Sequence, residues 1–232
     1  MAEPRRQPAA GRRRRRTSGG NQLSREIYVD AAVNLIENRG AAILSARTLG
    51  AAVGADPTAL YRYFTGVDDV VRAVADRMIG LGLDRWSPGT NWLDSLAGLA
   101  RVLFTVYAHD FPRAGVAVAS RSTGLPNEIR AVELTLGLLR DGGFDGEAAA
   151  KWFGAVSSVV LGQAMLEGAA ATLPPDVQTA DKASWQQLAT RLPSDDHPHT
   201  EAAAPHLGDY MVQSSFESVL ELMLAGLAAS AP

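Results

Sequence analysis

From Ser24 onward the apolar residues recur every three to four positions, and no segment alternates convincingly at period two. Side chains on a strand change face at every residue, whereas a helix returns to the same face after three or four. The pattern therefore commits the chain to packed helices, and the expected fold class is all-α.

The helices can be placed one by one. Ile27, Ala31 and Leu35 recur at helical spacing beside Tyr28, Ala32 and Ile36, with Ser24 as cap and Gly40 after Arg39 as stop. A shorter helix starts at Ser45, buries Leu49 and Val53, and ends at Gly54. Asp56 and Pro57 then open a third helix of about two turns, because an aspartate cap followed by proline suits a helix start. It is expected to end near Thr65–Gly66, and a fourth begins around Val67 with Asp68 and Asp69 at its positive end. Further helices are expected over 92–109, 126–140, 146–170 and 214–228. The 146–170 segment is apolar almost all round, so it should be buried on most sides. Residues 172–205 are rich in Pro and Asp, and read as a mobile loop with one helical turn around Trp185.

Charge is unevenly spread over the 232 residues. Residues 1–72 carry 12 arginines against 7 acids, whereas residues 73–232 carry 10 basic against 18 acidic groups, giving +5 and −8. A basic front on an acidic body fits a front that meets a polyanion, although seven of those arginines lie within 5–16 and can equally form a plain basic tail. Residues 1–22, including the run Arg12, Arg13, Arg14, Arg15 and Arg16, lack apolar periodicity and are expected to be a disordered basic arm. No apolar run follows that arm and none approaches the roughly 18 residues that cross a bilayer, so cytoplasm is the expected compartment and no membrane partner is expected. There is no cysteine, which excludes disulfides, thiolate metal sites and cysteine nucleophiles.

The stretch "GADPTALYRYF", 54–64, raises the functional question. A helix there turns Leu60 and Phe64 inward and leaves Thr58, Ala59, Tyr61, Arg62 and Tyr63 facing out. About three residues separate it from the preceding helix, and so tight a turn makes the two cross steeply. In a helix-turn-helix the second helix enters the major groove and touches base edges with its early residues. Arg62 can bridge guanine or grip a phosphate, Thr58 and Ala59 suit a thymine methyl, and the tyrosine hydroxyls suit phosphates. Arg47 projects from the helix that crosses the backbone. The competing reading is a helical hairpin whose aromatics pack on a neighbour.

The segment "LSARTLGAAVGADPTALYRYFTGVDDVVRAV", 44–74, resembles the DNA-binding signature of the TetR family of transcriptional repressors, including its L-Y-x-[HY]-F core at Leu60 to Phe64. "WLDSLAGLARVLF", "GFDGEAAAKWFGAVSSVVLGQAMLE" and "FESVLELMLAGL" resemble a tetracycline-repressor-like C-terminal domain. The resemblance implies a helix-turn-helix domain over 23–70, a C-terminal effector-binding and dimerisation domain over 71–232, and a homodimer that binds double-stranded operator DNA. It assigns DNA contacts to Thr58, Ala59, Tyr61, Arg62 and Tyr63 and a backbone contact to Arg47. One departure stands out. The family usually places a phosphate-binding lysine where this chain has Val67 and two aspartates, and the arginine run is the suggested compensation.

In the body, the resemblance places a small-molecule effector among the helices 92–109, 126–140 and 146–170. The candidate lining residues are Trp92, Phe104, Tyr107, His109, Trp152, Phe153, Gln163, Met165 and Glu167, which together would make a mostly apolar pocket. The helices 146–170 and 209–228 match the family's intersubunit bundle, and Gly154, Ala155, Ser157, Ser158 and Gly162 would allow close approach. A dimer also follows from the reader itself, since one two-turn helix makes too few base contacts and two-fold pairing sets readers about 34 Å apart on a palindrome.

Other classes find less support. "HPHTE", with His197, His199, Glu201 and nearby His206, is too loosely spaced to indicate a metal, and no cofactor is expected. No nucleophile elbow or catalytic triad pattern is present, and "GAAVGA" lacks the Lys-Ser/Thr of a phosphate loop, its glycines being read as helix ends. A ligand-responsive regulator is the expected function, with an architectural DNA binder as the alternative and a helical enzyme as the remote third.

Overall fold

The computed structural model describes residues 23–191 and 196–232, so the arm 1–22 and its five-arginine run lie outside the described residues. Among the described residues all regular structure is helical.

Helix α1 spans Arg25–Arg39. The Ser24 hydroxyl accepts from the Ile27 N–H at 3.4 Å, and Gly40, at a φ of 77°, returns its N–H to the Ile36 carbonyl. Tyr28, Val29, Ala32 and Ile36 form the buried stripe. Helix α2, Ala46–Ala52, begins with a reciprocal cap in which Thr48 N–H donates to Ser45 Oγ at 3.1 Å and Ser45 N–H donates to Thr48 Oγ1 at 3.0 Å. A cap of this kind stabilises a helix by about 1 kcal/mol, which matters for one of only seven residues.

The segment that follows differs from expectation. Pro57–Arg62 forms a 3₁₀ helix in place of a two-turn α-helix. Ala59 N–H bonds back to Asp56 and Tyr63 N–H to Leu60, each three residues earlier, and only Phe64 N–H returns four residues. So short an element, pinned by Asp56 and Pro57 at one end and by Gly66 shortly beyond the other, settles into the tighter i→i+3 turn.

Gly50 also departs from its assigned role. It lies inside α2, and a Cβ there would come within 2.9 Å of the Ala55 carbonyl oxygen and 3.0 Å of Pro57 Cα. Its missing side chain lets the turn close against the helix, whereas Gly54, at a φ of 63°, does serve a helix end.

Helix α3, Val67–Arg85, packs on α1 at its start and runs into the body. There it meets α4 (Trp92–Thr105), α5 (Pro112–Val118) and α6 (Pro126–Asp141). The expected helix over 92–109 changes character at its end, where Val106–Asp110 forms a π turn and the Phe111 N–H reaches back to Val106. Gly115 crosses that turn so closely that a Cβ would overlap the Tyr107 carbonyl. Asp76, almost buried on α3, receives the backbone N–H groups of Asn127 and Glu128 at 3.0 Å and thereby caps α6 from a different helix.

Helix α7, Gly146–Ala171, corrects two expectations. By length and composition it is apolar enough to cross a bilayer, with a mean hydropathy of 1.2, although it packs against α4, α5, α6 and α11 (Phe216–Ser230). It is also not buried on most sides. Val156, Val160 and Ala164 face inward, whereas Gly154, Ser158, Gly162 and Leu166 form an exposed row at four-residue spacing. On α11, Ser218, Leu222 and Gly226 form a second exposed row at the same spacing. The inner side of α11 is fixed by Phe216, which stacks on Phe104 at 3.8 Å, and by a two-pronged contact from Arg101 to Glu217 at 2.8–3.0 Å.

The described residues of 172–205 are largely helical and not the expected loop. They contain α8 (Pro175–Gln186), α9 (Leu188–Arg191) and the start of α10 (Pro198–Tyr210). Pro175 and Pro198 occupy first helical positions, where proline starts a helix instead of breaking it.

Candidate nucleic-acid interface and ligand cavity

The reader is held from behind. Leu60 and Phe64 are buried, and Phe64 meets Tyr28 edge-on at 6.1 Å. Arg25 lies 4.1 Å over the opposite partner of that ring contact, the Phe64 face, donates to the Tyr63 carbonyl and pairs with Asp69 at 3.7 Å. The 3₁₀ helix is thus clamped to α1 and α3 by an arginine that is fully engaged. Arg47 and Arg62, by contrast, are exposed and make no ion pair or hydrogen bond among the described residues. Tyr61 is 60% exposed with nothing stacked on it. Thr58 is exposed, with its hydroxyl donating to Asp56 at 2.5 Å.

Two expected DNA-facing residues are placed differently. Ala59 is buried at 7% exposure, because a 3₁₀ turn rotates it beside Leu60 into the core. Tyr63 is half-buried, packs on Tyr28 at 5.8 Å, and donates its hydroxyl to the Leu23 carbonyl at 2.8 Å. That hydroxyl is spent inside the fold, so the outward group is Arg47, Thr58, Tyr61 and Arg62.

The aspartates that replace the family's usual lysine have internal partners. Asp69 accepts the Thr65 N–H at 3.1 Å, tying the first turn of α3 to the residue just ahead of its start. Asp68 pairs with Arg72 at 3.1 Å and with Arg121. Val67 is half-buried against the core.

In the body, α3, α4, α6 and α7 line a partly open cavity of about 300 Å³. Its walls are mostly aliphatic, with Leu99 and Leu103 from α4 opposing Val156 and Val160 from α7. A polar corner is formed by Ser120, Arg121, Ser122 and Glu128, and Thr135 and Ser157 add single hydroxyls. Tyr107 also lines it and donates to the Ala75 carbonyl at 3.4 Å. Burial, reinforced by the nearby charges of Glu128 and Asp76, pushes the Tyr107 phenol far above its ordinary range. It stays protonated at any working pH.

Of the residues expected to line a pocket, Tyr107 and Phe153 line this cavity. The other seven do not. Trp92 and Trp152 pack around Phe144, at 5.9 and 6.4 Å between rings, and Phe104 stacks on Phe216. His109 and Glu167 bond to one another at 2.6 Å across the π turn, Gln163 lies 3.3 Å from the Ser215 hydroxyl, and Met165 packs against the core. Arg121 and Glu128 had no flag in the sequence, because they flank a Ser/Thr/Gly-rich connection that reads as ordinary loop. Asp76 had a faint one. It shares a helix face with Ala73 and Gly80, and the N-terminal turn of α6 fits onto that small row, with Asn127 where a Gly80 Cβ would stand. Among the described residues no group of three or more His, Asp or Glu side chains is arranged to hold a metal ion.

Comparison with known proteins matches both halves of this architecture. Residues 29–74 match the family described as bacterial regulatory proteins, tetR family, and residues 87–231 match the tetracyclin repressor-like C-terminal domain. An HTH-type transcriptional regulator of Saccharopolyspora erythraea is 28% identical over 222 residues, covering 90% of this chain and 86% of that protein. A crystal structure of a possible TetR family transcriptional regulator from Streptomyces coelicolor A3(2) is 28% identical, covers 89% of this chain and 100% of that one, and superposes with a TM-score of 0.73. ActR from Streptomyces coelicolor, solved in complex with actinorhodin, shares the fold at a TM-score of 0.75 and 22% identity, over 90% of this chain and 97% of that one.

Proposed function

Because the chain belongs to the TetR family of transcriptional regulators, we propose that it acts as a dimeric repressor that binds a palindromic operator and is released by a small, mostly apolar effector. The observation that carries this reading is the course of α3. Its first turn follows the 3₁₀ helix after only residues 63–66, and Ile79, three turns further on, lines the cavity. A rigid helix that touches both sites is the element through which occupancy of one can bias the other. A ligand then weakens DNA binding by as much as its affinity differs between the two reader arrangements.

Arg47, Thr58, Tyr61 and Arg62 are proposed as the DNA contacts on each subunit, with Arg12, Arg13, Arg14, Arg15 and Arg16 adding phosphate contacts from the arm. Two small-residue rows, Gly154/Ser158/Gly162 on α7 and Ser218/Gly226 on α11, support a four-helix dimer interface in which Leu166 and Leu222 fill the gaps on the partner. Leu166 is 67% exposed and Leu222 76% exposed in the single chain, which is unusual for leucines on helices this apolar. The cavity favours a sensor over an architectural DNA binder, which has no use for a mostly apolar hollow of this size. The ActR complex with actinorhodin supports the same reading, since that protein holds a ligand on this fold.

Selection of bound sequences from random DNA tests the proposal. Enrichment of an inverted repeat with half-sites one helical turn apart is expected. Enrichment of an asymmetric single site, or of none, refutes it.

A further inference from the structure

Arg121 belongs to two places at once: its Nη2 donates to Asp68 in the first turn of α3, and the residue is among those that line the cavity. We infer that the cavity recognises an effector carrying an anionic group at one end, and that this group takes Arg121 away from Asp68. The inference rests on the reading of the cavity as an effector site.

Three observations support it. Among the described residues Arg121 is the one cation lining the cavity, and a guanidinium has five N–H donors in a planar fork. The pair with Asp68 engages one nitrogen, and the others bond to nothing among the described residues. A carboxylate or sulfonate entering from the apolar side therefore meets unused, fork-shaped donors that suit it.

Nearby acids do not compete for that fork. Glu128 Oε2 accepts from the N–H groups of Thr123 at 2.9 Å and Gly124 at 2.5 Å, and from the Thr123 hydroxyl at 3.1 Å and the Ser122 hydroxyl at 3.3 Å. Asp76 is held by the Asn127 and Glu128 N–H groups and by the Asn127 amide, each at 3.0 Å. The bonds to Glu128 all fall on Oε2 and those to Asp76 on both of its oxygens, so each carboxylate is engaged by the 122–124 loop and the start of α6, and neither is paired with Arg121.

The exchange is also mild for Asp68. Its other oxygen lies 3.1 Å from Arg72 Nη2, so it keeps a cation when Arg121 leaves. The side chains of Arg121 and Asp68 are 35% and 58% exposed, and ion pairs this open are weak. Losing the pair unties the first turn of α3 from loop 119–125, at the end of the helix nearest the reader.

Two fluorescent probes on the full chain test this. 8-Anilinonaphthalene-1-sulfonate is anionic, and N-phenyl-1-naphthylamine has the same rings without the charge. The readout is the ratio of their affinities. The wild-type chain is expected to favour the sulfonate at least ten-fold. Arg121→Gln should lower that ratio about ten-fold, and Asp68→Asn should raise it several-fold by removing the internal competitor. The sulfonate also binds the exposed apolar surface of a loosened fold, so both variants are held to the parent's near-UV circular dichroism and Tm before the ratio is read. A ratio unchanged in either variant overturns the inference and leaves the cavity reading intact if both probes still bind. Failure of both probes to bind the wild-type chain refutes the cavity reading and the inference with it.

Discussion

Replacing Gly50 by alanine sets two opposing effects against each other in the turn of the reader. In a helix interior alanine is favoured over glycine by about 0.8–1 kcal/mol. At Gly50 the new Cβ would lie 2.9 Å from the Ala55 oxygen, 3.0 Å from Pro57 Cα and 3.1 Å from Pro57 N. All three are backbone atoms, so no side chain can swing away. Restoring ordinary contact means moving the 55–57 turn by about 0.5 Å, which pulls on the 2.8 Å bond from Ala55 N–H to the Gly50 carbonyl. Overpacking of this kind costs about 1–3 kcal/mol, and strain on that bond adds to it. The net expectation for Gly50→Ala is a loss of about 1–2 kcal/mol, or a fall in Tm of about 3–8 °C at fixed protomer concentration. Gly137 is the control, being exposed inside α6 with nothing within 4 Å of an added Cβ. Gly137→Ala should stabilise by up to about 1 kcal/mol. Paired thermal and denaturant unfolding decides the matter. If Gly50→Ala is as stable as its parent while Gly137→Ala gains, the close approach of turn to helix is not a real constraint.

Two further outcomes are expected. Tyr61→Ala should weaken binding to the selected operator by at least about ten-fold, the loss of one hydrogen bond to a charged group, whereas Tyr63→Phe should change it by less than about two-fold because that hydroxyl is already bonded to Leu23; fluorescence anisotropy that ranks the two variants the other way sinks the assignment of the outward face. Gly162→Leu has open space around it in the single chain and should fold, yet fail to dimerise by sedimentation at concentrations where the parent is a dimer, its affinity falling by about 100-fold; an unchanged dimer would move the interface elsewhere.

Much of the fold was legible because its signals are local. Ser24, Ser45 and Asp56 each cap a backbone N–H two or three residues away, and Gly40 and Gly54 relieve their own φ angles. Interactions of that reach are written in neighbouring letters. The same locality explains why α1, α2 and α6 lie close to where periodicity puts them. Errors appeared where a short-range cue was overruled. The prolines of 172–205 suggested a loop, but at first helical positions they begin helices.

The sequence alone determined that this chain is helical, that a short element with Leu60 and Phe64 behind it presents Tyr61 and Arg62, and that the whole resembles one regulator family. Tertiary structure alone decided that Ala59 and the Tyr63 hydroxyl turn inward, that one side of α7 stays open, and which side chains surround the cavity. Arg121 and Asp68 stand 53 residues apart, as the hydrogen bond between them records. Such meetings depend on how the helices cross, which is settled by packing many side chains at once, and no local pattern encodes the result.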